Sequence, residues 1–234
     1  MPGDALKVAV VTGAASGIGA AVAAELMANG WTVAALDLAA SPACAWSRVV
    51  DMRDAVAVGE AIRDVERDLG PVEAAVSVAG YYEMRPIDEI TRSQWERMLG
   101  VHLGGLANLT RGVLPGMVGR GAGSIVAITS ELAVGGGADD AHYAAAKGAI
   151  IGFVRSLAVE VAPAGVRVNA VAPGPTDTPL LAPDSPWRAP AYLATLPIGR
   201  LGSPEEVALC VSYLIEDDTF AVGEILNPNA GAVI

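Results

Sequence analysis

The stretch from Lys7 to Asp37 constrains this 234-residue chain more than any other. It opens on Val8-Ala9-Val10-Val11, a short apolar, β-branched run suited to a strand buried on both faces. Gly13, Gly17 and Gly19 follow, spaced G-x-x-x-G-x-G, and permit positive φ and close backbone approach. Ile18, Val22 and Leu26 then recur every four residues, one face of a helix that Gly30 ends. Trp31 to Leu36 returns as a second strand and stops at Asp37. Strand, glycine turn, helix, strand and acid in that order put a pyrophosphate on a helix N-terminus, with the acid in reach of an adenosine ribose. A carboxylate at Asp37 would repel a 2′-phosphate, and no arginine lies in the glycine turn or directly after Asp37. The cofactor expected is therefore NAD(H), with NADP(H) the less favoured choice.

The remaining chain keeps the same alternation. Strands are expected at Arg48–Val50, Val72–Val78, Gly123–Thr129, Val166–Val171 and Glu224–Leu226. Helices are expected at Arg53–Leu69 (with Val56, Ile62, Val65 and Leu69 as its apolar stripe), Trp95 to about Met117, and His142 to Val161. Another opens at Ser203-Pro204-Glu205-Glu206, with a serine cap, proline at the first position and acids in the first turn. Strands alternating with helices imply an α/β fold, a single doubly wound parallel sheet with helices on both faces, spanning residues 1–234 as one domain. The proline-rich stretch 175–200 interrupts the pattern and is expected to be a substrate lid.

Composition narrows the function further. Apolar residues make up 53% of the chain, more than one domain's interior needs, which suggests subunit packing as a homodimer or homotetramer around Gly104 and Ala146. The net charge of −11 argues against nucleic acid as a partner. The uncharged segment 8–24 is broken by Thr12, Gly13, Ser16, Gly17 and Gly19, unlike a signal peptide, and no run of eighteen apolar residues suggests a membrane span. Cys44 and Cys210 offer neither disulfide framework nor metal spacing, so a reducing cytoplasm is expected. His102 and His142 are far apart, with neither near a cysteine, and Asp139 and Asp140 read as a solvated loop, so no metal site is expected.

Tyr143 and Lys147, four apart on an expected helix, share a face, and an ammonium beside a phenol favours the phenolate. Ser130 ends a strand thirteen residues upstream, where its hydroxyl could hold a substrate oxygen. Together with Thr12 to Gly19, Tyr-Ala-Ala-Ala-Lys from Tyr143 to Lys147, and Pro173-Gly174 with Thr178, these residues resemble the short-chain dehydrogenase/reductase family over nearly the whole chain. The resemblance implies hydride transfer between a nicotinamide and a carbonyl or secondary alcohol. It gives Tyr143 the proton transfer, Ser130 the orientation of the carbonyl, and Lys147 the nicotinamide ribose and the lowering of the tyrosine pKa. Gly13, Ser16, Gly17, Ile18, Gly19, Asp37, Asp51, Met52, Ala79, Gly80, Pro173, Gly174, Thr176 and Thr178 would hold the cofactor, Asp51 at the adenine.

Two positions depart from the family's pattern. The usual Asn-Asn-Ala-Gly is here Ser77-Val78-Ala79-Gly80, which puts the fixing of that strand end in question. The asparagine that supports a water relay to the lysine is replaced by His102, either a substitute relay with a pH dependence of its own or a buried, satisfied histidine. Three readings therefore stand: an NAD(H)-dependent enzyme acting on a small molecule, a narrower 3-oxoacyl-acyl-carrier-protein reductase, and a non-catalytic dinucleotide-binding protein. Asp37 speaks against the second, although Arg120 and Arg167 could form a local basic patch for a carrier. Ser130, Tyr143 and Lys147 speak against the third. Leu180, Leu181, Trp187, Tyr192, Leu193, Tyr81, Tyr82 and Met84 suggest an apolar or aromatic substrate.

Overall fold

Alternate side chains of the first strand bury on opposite faces, and this sets the layers. In the computed structural model, which describes residues 7–216 and 219–233, β1 (Val8–Thr12) is completely buried. Val8 and Val10 join one apolar cluster, while Ala9 and Val11 join another across the sheet. The first cluster receives α2 (Ala55–Asp68), α4 (Gly105–Arg120) and α6 (Ala141–Val161). The second receives α1 (Gly17–Ala28) and α8 (Pro204–Ile215). Val22 and Leu26 anchor α1 there, each side chain contributing about 1.5–3 kcal/mol by leaving water.

The strands are β2 (Thr32–Asp37), β3 (Trp46–Val49), β4 (Val72–Ser77), β5 (Gly123–Ile128), β6 (Val166–Val171) and β7 (Ile225–Leu226). All pair in parallel, in the order β3-β2-β1-β4-β5-β6-β7. This is the doubly wound, Rossmann-type sheet that the alternation implies. The order reverses between β1 and β4, so the chain leaves in opposite directions on either side of that point. A crevice opens there at the strands' carboxyl ends, the place where such sheets bind ligands. The expected domain span of 1–234 includes residues 1–6, 217–218 and 234, which lie outside the described residues.

The long helix expected from Trp95 starts earlier and is not uniform. Thr91 and Gln94 form a reciprocal cap on α3 (Arg92–Leu99), a π-helical turn covers Gly100–Gly104, and α4 continues to Arg120. A π turn inserts a residue into the helical ladder and re-aims the side chains beside it. Here it directs His102 towards the end of β4, where the ideal Cβ position of Gly80 would lie 2.4 Å from the imidazole. On the opposite face, Gly105 and Gly112 bring α4 against Met52 and Ile62, with ideal Cβ positions only 3.1 and 2.9 Å away. Of the stripe expected on α2, Ile62 and Val65 are buried and Leu69 packs against the core, but Val56 is 71% exposed, and Val58 and Ala61 join the stripe. The segment after β6 also holds more structure than its prolines suggest. Residues Pro186–Arg188 form a 3₁₀ turn and α7 (Pro190–Leu193) follows it, while a short helical turn, α5 (Leu132–Gly135), lies earlier, between β5 and α6.

Candidate active site

One cavity of about 360 Å³ lies over the crevice, and every candidate catalytic and cofactor-binding residue from the sequence lines it. The glycine turn forms one part. Gly13 has φ +70°, and a side chain there would press within 2.9 Å of the Ala79 backbone. Gly19 is tighter still, since its ideal Cβ would lie 2.0 Å from the Gly13 carbonyl oxygen. Ser16 precedes α1 in an extended conformation but makes no side-chain cap, whereas Asp54, Thr91 and Ser203 cap α2, α3 and α8. The first N–H groups of α1 are thereby left for an anion, with no acid in the first turn to compete. Asp37 accepts hydrogen bonds from Ala15 N at 2.9 Å and Ala39 N at 3.0 Å, one on each oxygen. Each oxygen retains a lone pair for a hydroxyl donor. Donors for a pyrophosphate and acceptors for a ribose thus fit a dinucleotide. Arg53 also lines the cavity, but its guanidinium is held by Asp51 at 2.6 Å, which keeps the Asp51 carboxyl below the usual range.

Val78 does not loosen the end of β4. The Thr12 hydroxyl accepts from Val78 N at 3.0 Å and Ala79 N at 3.1 Å, so backbone donors fix β4 to β1. The Val78 side chain packs into the apolar cluster.

At the reacting end, α6 delivers Tyr143 and Lys147, both almost fully buried. Thr129 locks this helix to β5 by donating to the Lys147 carbonyl at 2.8 Å. Lys147 Nζ donates to the Ile128 carbonyl at 2.8 Å and lies 5.7 Å from the Tyr143 ring centroid. The lowered phenol pKa expected from this pairing is absent from the protein alone. Burial dominates, pushing Tyr143 up with Glu131 adding to the effect, while a hydrogen bond from the Ser130 side opposes it. Burial also pulls Lys147 down to about 7, which halves its charge near neutrality and weakens its field on the phenol.

His102 Nε2 lies 2.9 Å from the Tyr81 carbonyl oxygen and 3.4 Å from Tyr81 N; the shorter contact favours the tautomer in which Nε2 donates, which leaves Nδ1 as an acceptor. That Nδ1 is buried and unpartnered. Burial and the Lys147 charge pull the His102 pKa down to about 3, so the histidine stays neutral and has no titration of its own near physiological pH. The satisfied histidine expected as the bland alternative is also incomplete, because only one ring nitrogen is paired. The ring stands edge-on to Tyr143 at 5.6 Å. Tyr82 stands edge-on to Tyr143 from another side at 4.9 Å, and its hydroxyl accepts from Trp187 Nε1 at 2.8 Å, tying the 175–200 segment to the end of β4.

Several expectations need correction. Leu180, Leu181, Trp187, Tyr81 and Tyr82 line the cavity, but Met84, Tyr192 and Leu193 do not; Tyr192 packs on Trp187 at 4.7 Å instead. Asp140 is completely buried rather than solvated, because α6 starts directly behind it. Ala146 is buried within the chain against Met98 and Tyr143, whereas Gly104 remains partly exposed. Arg120 donates to the Val72 carbonyl, and Arg167 donates to the last carbonyls of α8, so neither forms a free basic patch.

Glu131 was not among the expected site residues. It is 7% exposed, lines the cavity and accepts from the Ser130 hydroxyl at 2.9 Å. Its burial pushes the carboxyl up to about 7. One signal was available: it is the only charge between Arg120 and Asp139, directly after the strand-end serine.

Comparison with known proteins bears on this geometry. Residues 7–189 match the family described as short chain dehydrogenase. Cis-4-hydroxycyclohexanecarboxylate dehydrogenase of Sinomonas cyclohexanicum is 38% identical, covering 96% of each chain. Acetoacetyl-CoA reductase of Shinella zoogloeoides is 37% identical over 96% of this chain and 98% of that one. Among solved structures, 3-ketoacyl-(acyl-carrier-protein) reductase of Brucella melitensis complexed with NADH superposes with a TM-score of 0.91. It is 25% identical, with 97% of this chain and 98% of that chain covered. No helix among the described residues is long and apolar enough to cross a membrane.

Proposed function

Because the chain belongs to the short-chain dehydrogenase family, we propose that it works with NAD(H), rather than NADP(H), on a compact and partly apolar substrate. The enzyme is an oxidoreductase of carbonyl and CH–OH groups. One observation carries the proposal: a single cavity contains Asp37 beside the uncapped start of α1 together with Ser130, Tyr143 and Lys147.

When bound, a nicotinamide dinucleotide supplies or accepts the hydride. In this reading the α1 N-terminus, Gly13, Ser16, Gly17, Ile18, Gly19 and Thr178 hold its pyrophosphate, and Asp37 accepts from its adenosine ribose. Asp51 and Met52 border the adenine, and Ala79, Gly80, Pro173, Gly174 and Thr176 line the rest of its path. Tyr143 Oη carries the proton to a carbonyl oxygen in reduction and takes it from the alcohol in oxidation. Ser130 Oγ orients that oxygen. Lys147 Nζ, with donors left beyond its bond to the Ile128 carbonyl, serves the ribose hydroxyls. His102 stays neutral and acts as a fixed acceptor through Nδ1, not as a proton carrier. Tyr82, Leu181 and Trp187 exclude water over the reacting oxygen, with the 175–200 segment as the lid.

A reductase for 3-oxoacyl thioesters is the second reading, favoured by the names of two relatives. Asp37 and the engagement of Arg120 and Arg167 stand against a carrier-protein substrate. We also assign the enzyme to homodimers or homotetramers.

Fluorescence titration tests the cofactor assignment. NADH is expected to bind more tightly than NADPH, and Asp37→Ser to narrow the gap. Equal affinities in the unmutated enzyme would remove the argument. A panel of ketones and secondary alcohols, followed by NADH absorbance, identifies the substrate.

A further inference from the structure

Ser130 has one hydroxyl proton, which the geometry directs at Glu131 at 2.9 Å, with the neighbouring Tyr143 phenol competing for it. A carbonyl oxygen needs donors, so a serine committed in this way is less suited to a plain ketone. The same serine still has lone pairs to accept from an alcohol. Glu131 makes no ion pair among the described residues, and beyond the Ser130 hydroxyl its carboxylate faces only the backbone N–H groups of Glu131 and Leu132. Its charged and titratable neighbours are Tyr143, Tyr192 and Asp140, none of them a cation. Asp140 is buried nearby, where its charge raises the Glu131 carboxyl further and its own carboxylate faces the Tyr82 hydroxyl. A buried acid on a cavity wall without a counter-cation is costly unless a bound donor satisfies it.

We propose that Glu131 is a specificity residue whose carboxylate accepts a hydrogen bond from a hydroxyl or ammonium on the carbon next to the reacting one. The inference rests on the oxidoreductase reading above. Its geometry follows from the neighbouring serine. A substrate oxygen on Ser130 and Tyr143 leaves Glu131 one hydrogen-bond length farther along the wall. The two oxygens of a vicinal diol have that spacing, roughly the 2.8 Å of an O–H···O bond. The substrates of this class are 1,2-diols and 1,2-amino alcohols, or the corresponding α-substituted ketones in reverse. In oxidation the carbinol C–H bond breaks and its hydride passes to NAD⁺. The O–H proton passes to Tyr143 and on to solvent. The products are an α-hydroxy or α-amino ketone, NADH and one proton.

The test is a comparison of kcat/KM with NAD⁺ for trans-cyclohexane-1,2-diol, trans-2-aminocyclohexanol and cyclohexanol, and likewise for 2,3-butanediol against 2-butanol. At least one donor-bearing substrate should exceed its plain alcohol by about 10- to 100-fold, the range of a hydrogen bond to a charged group. A faster diol identifies the donor as hydroxyl, and a faster amino alcohol identifies it as ammonium. Glu131→Ala should bring the ratio to within about twofold of one. Glu131→Gln, which keeps an acceptor but no charge, should retain part of a diol preference and lose an ammonium preference. NADH titration of both variants verifies an intact cofactor site. Equal kcat/KM across each set, or a preference that survives Glu131→Ala, overturns the assignment. So does an enzyme that turns over other ketones or alcohols but none of the donor-bearing ones, and in both cases the oxidoreductase reading stands. No turnover of any alcohol or ketone overturns both.

Discussion

Glu131 and Lys147 bring two oppositely shifted groups into one buried site, and their shifts give the fold a pH dependence of defined sign. Glu131 titrates near 4.5 when exposed and is pushed up to about 7 in the fold. Between those values the folded chain holds a proton that the unfolded chain has released, so stability falls as pH rises through that window. Lys147 is lowered from 10.5 to about 7, so the unfolded chain holds the extra proton above 7, and stability rises from there to 10.5. Glu131→Gln removes the first effect alone. Urea unfolding should find the variant equal to the parent near pH 4.5 and more stable at pH 8, by up to about 3 kcal/mol. Parallel stability curves for the two proteins would show that the burial of Glu131 imposes no such cost.

At the scale of elements, the parts set by local chemistry were legible and the parts set by packing were not. The strand–turn–helix–strand–acid unit could be read directly because β-branched residues favour the strands and glycine alone takes the positive φ of Gly13 and Gly17 without strain. The boundary of α3 was missed although Thr91 and Gln94 carry a capping pair, because Arg92 to Gln94 contribute no apolar periodicity. The π turn at Gly100–Gly104 is not written in any local preference; it answers to the contact between His102 and the end of β4. Val78 looked like a lost hydrogen bond, yet Thr12 on the neighbouring strand fixes that end through the backbone. Tyr143, Lys147 and Ser130 could be named from spacing, whereas the direction of their pKa shifts depends on burial, which spacing does not report. Glu131 was overlooked for the same reason, since an acid after a serine carries no meaning until the cavity encloses it.

At the scale of the whole molecule, the apolar surplus is only partly absorbed by the two layers flanking the sheet. Leu209 and Tyr213, four apart on α8, are both 57% exposed, and Phe220 and Val222 lie uncovered before β7. This face is a further candidate contact between copies, beside the helices that carry Gly104 and Ala146. Sedimentation equilibrium at micromolar concentration should give the mass of two or four chains, and a monomer would contradict the assembly. In the cavity, Tyr143 is the group we propose exchanges a proton with the substrate oxygen. Tyr143→Phe keeps the ring packed against Tyr82 and His102 and removes only the hydroxyl. Steady-state kinetics on this variant, with NADH titration alongside, should find cofactor binding nearly unchanged and kcat lowered at least about 100-fold. Near-normal turnover by the Tyr143→Phe enzyme would contradict the account.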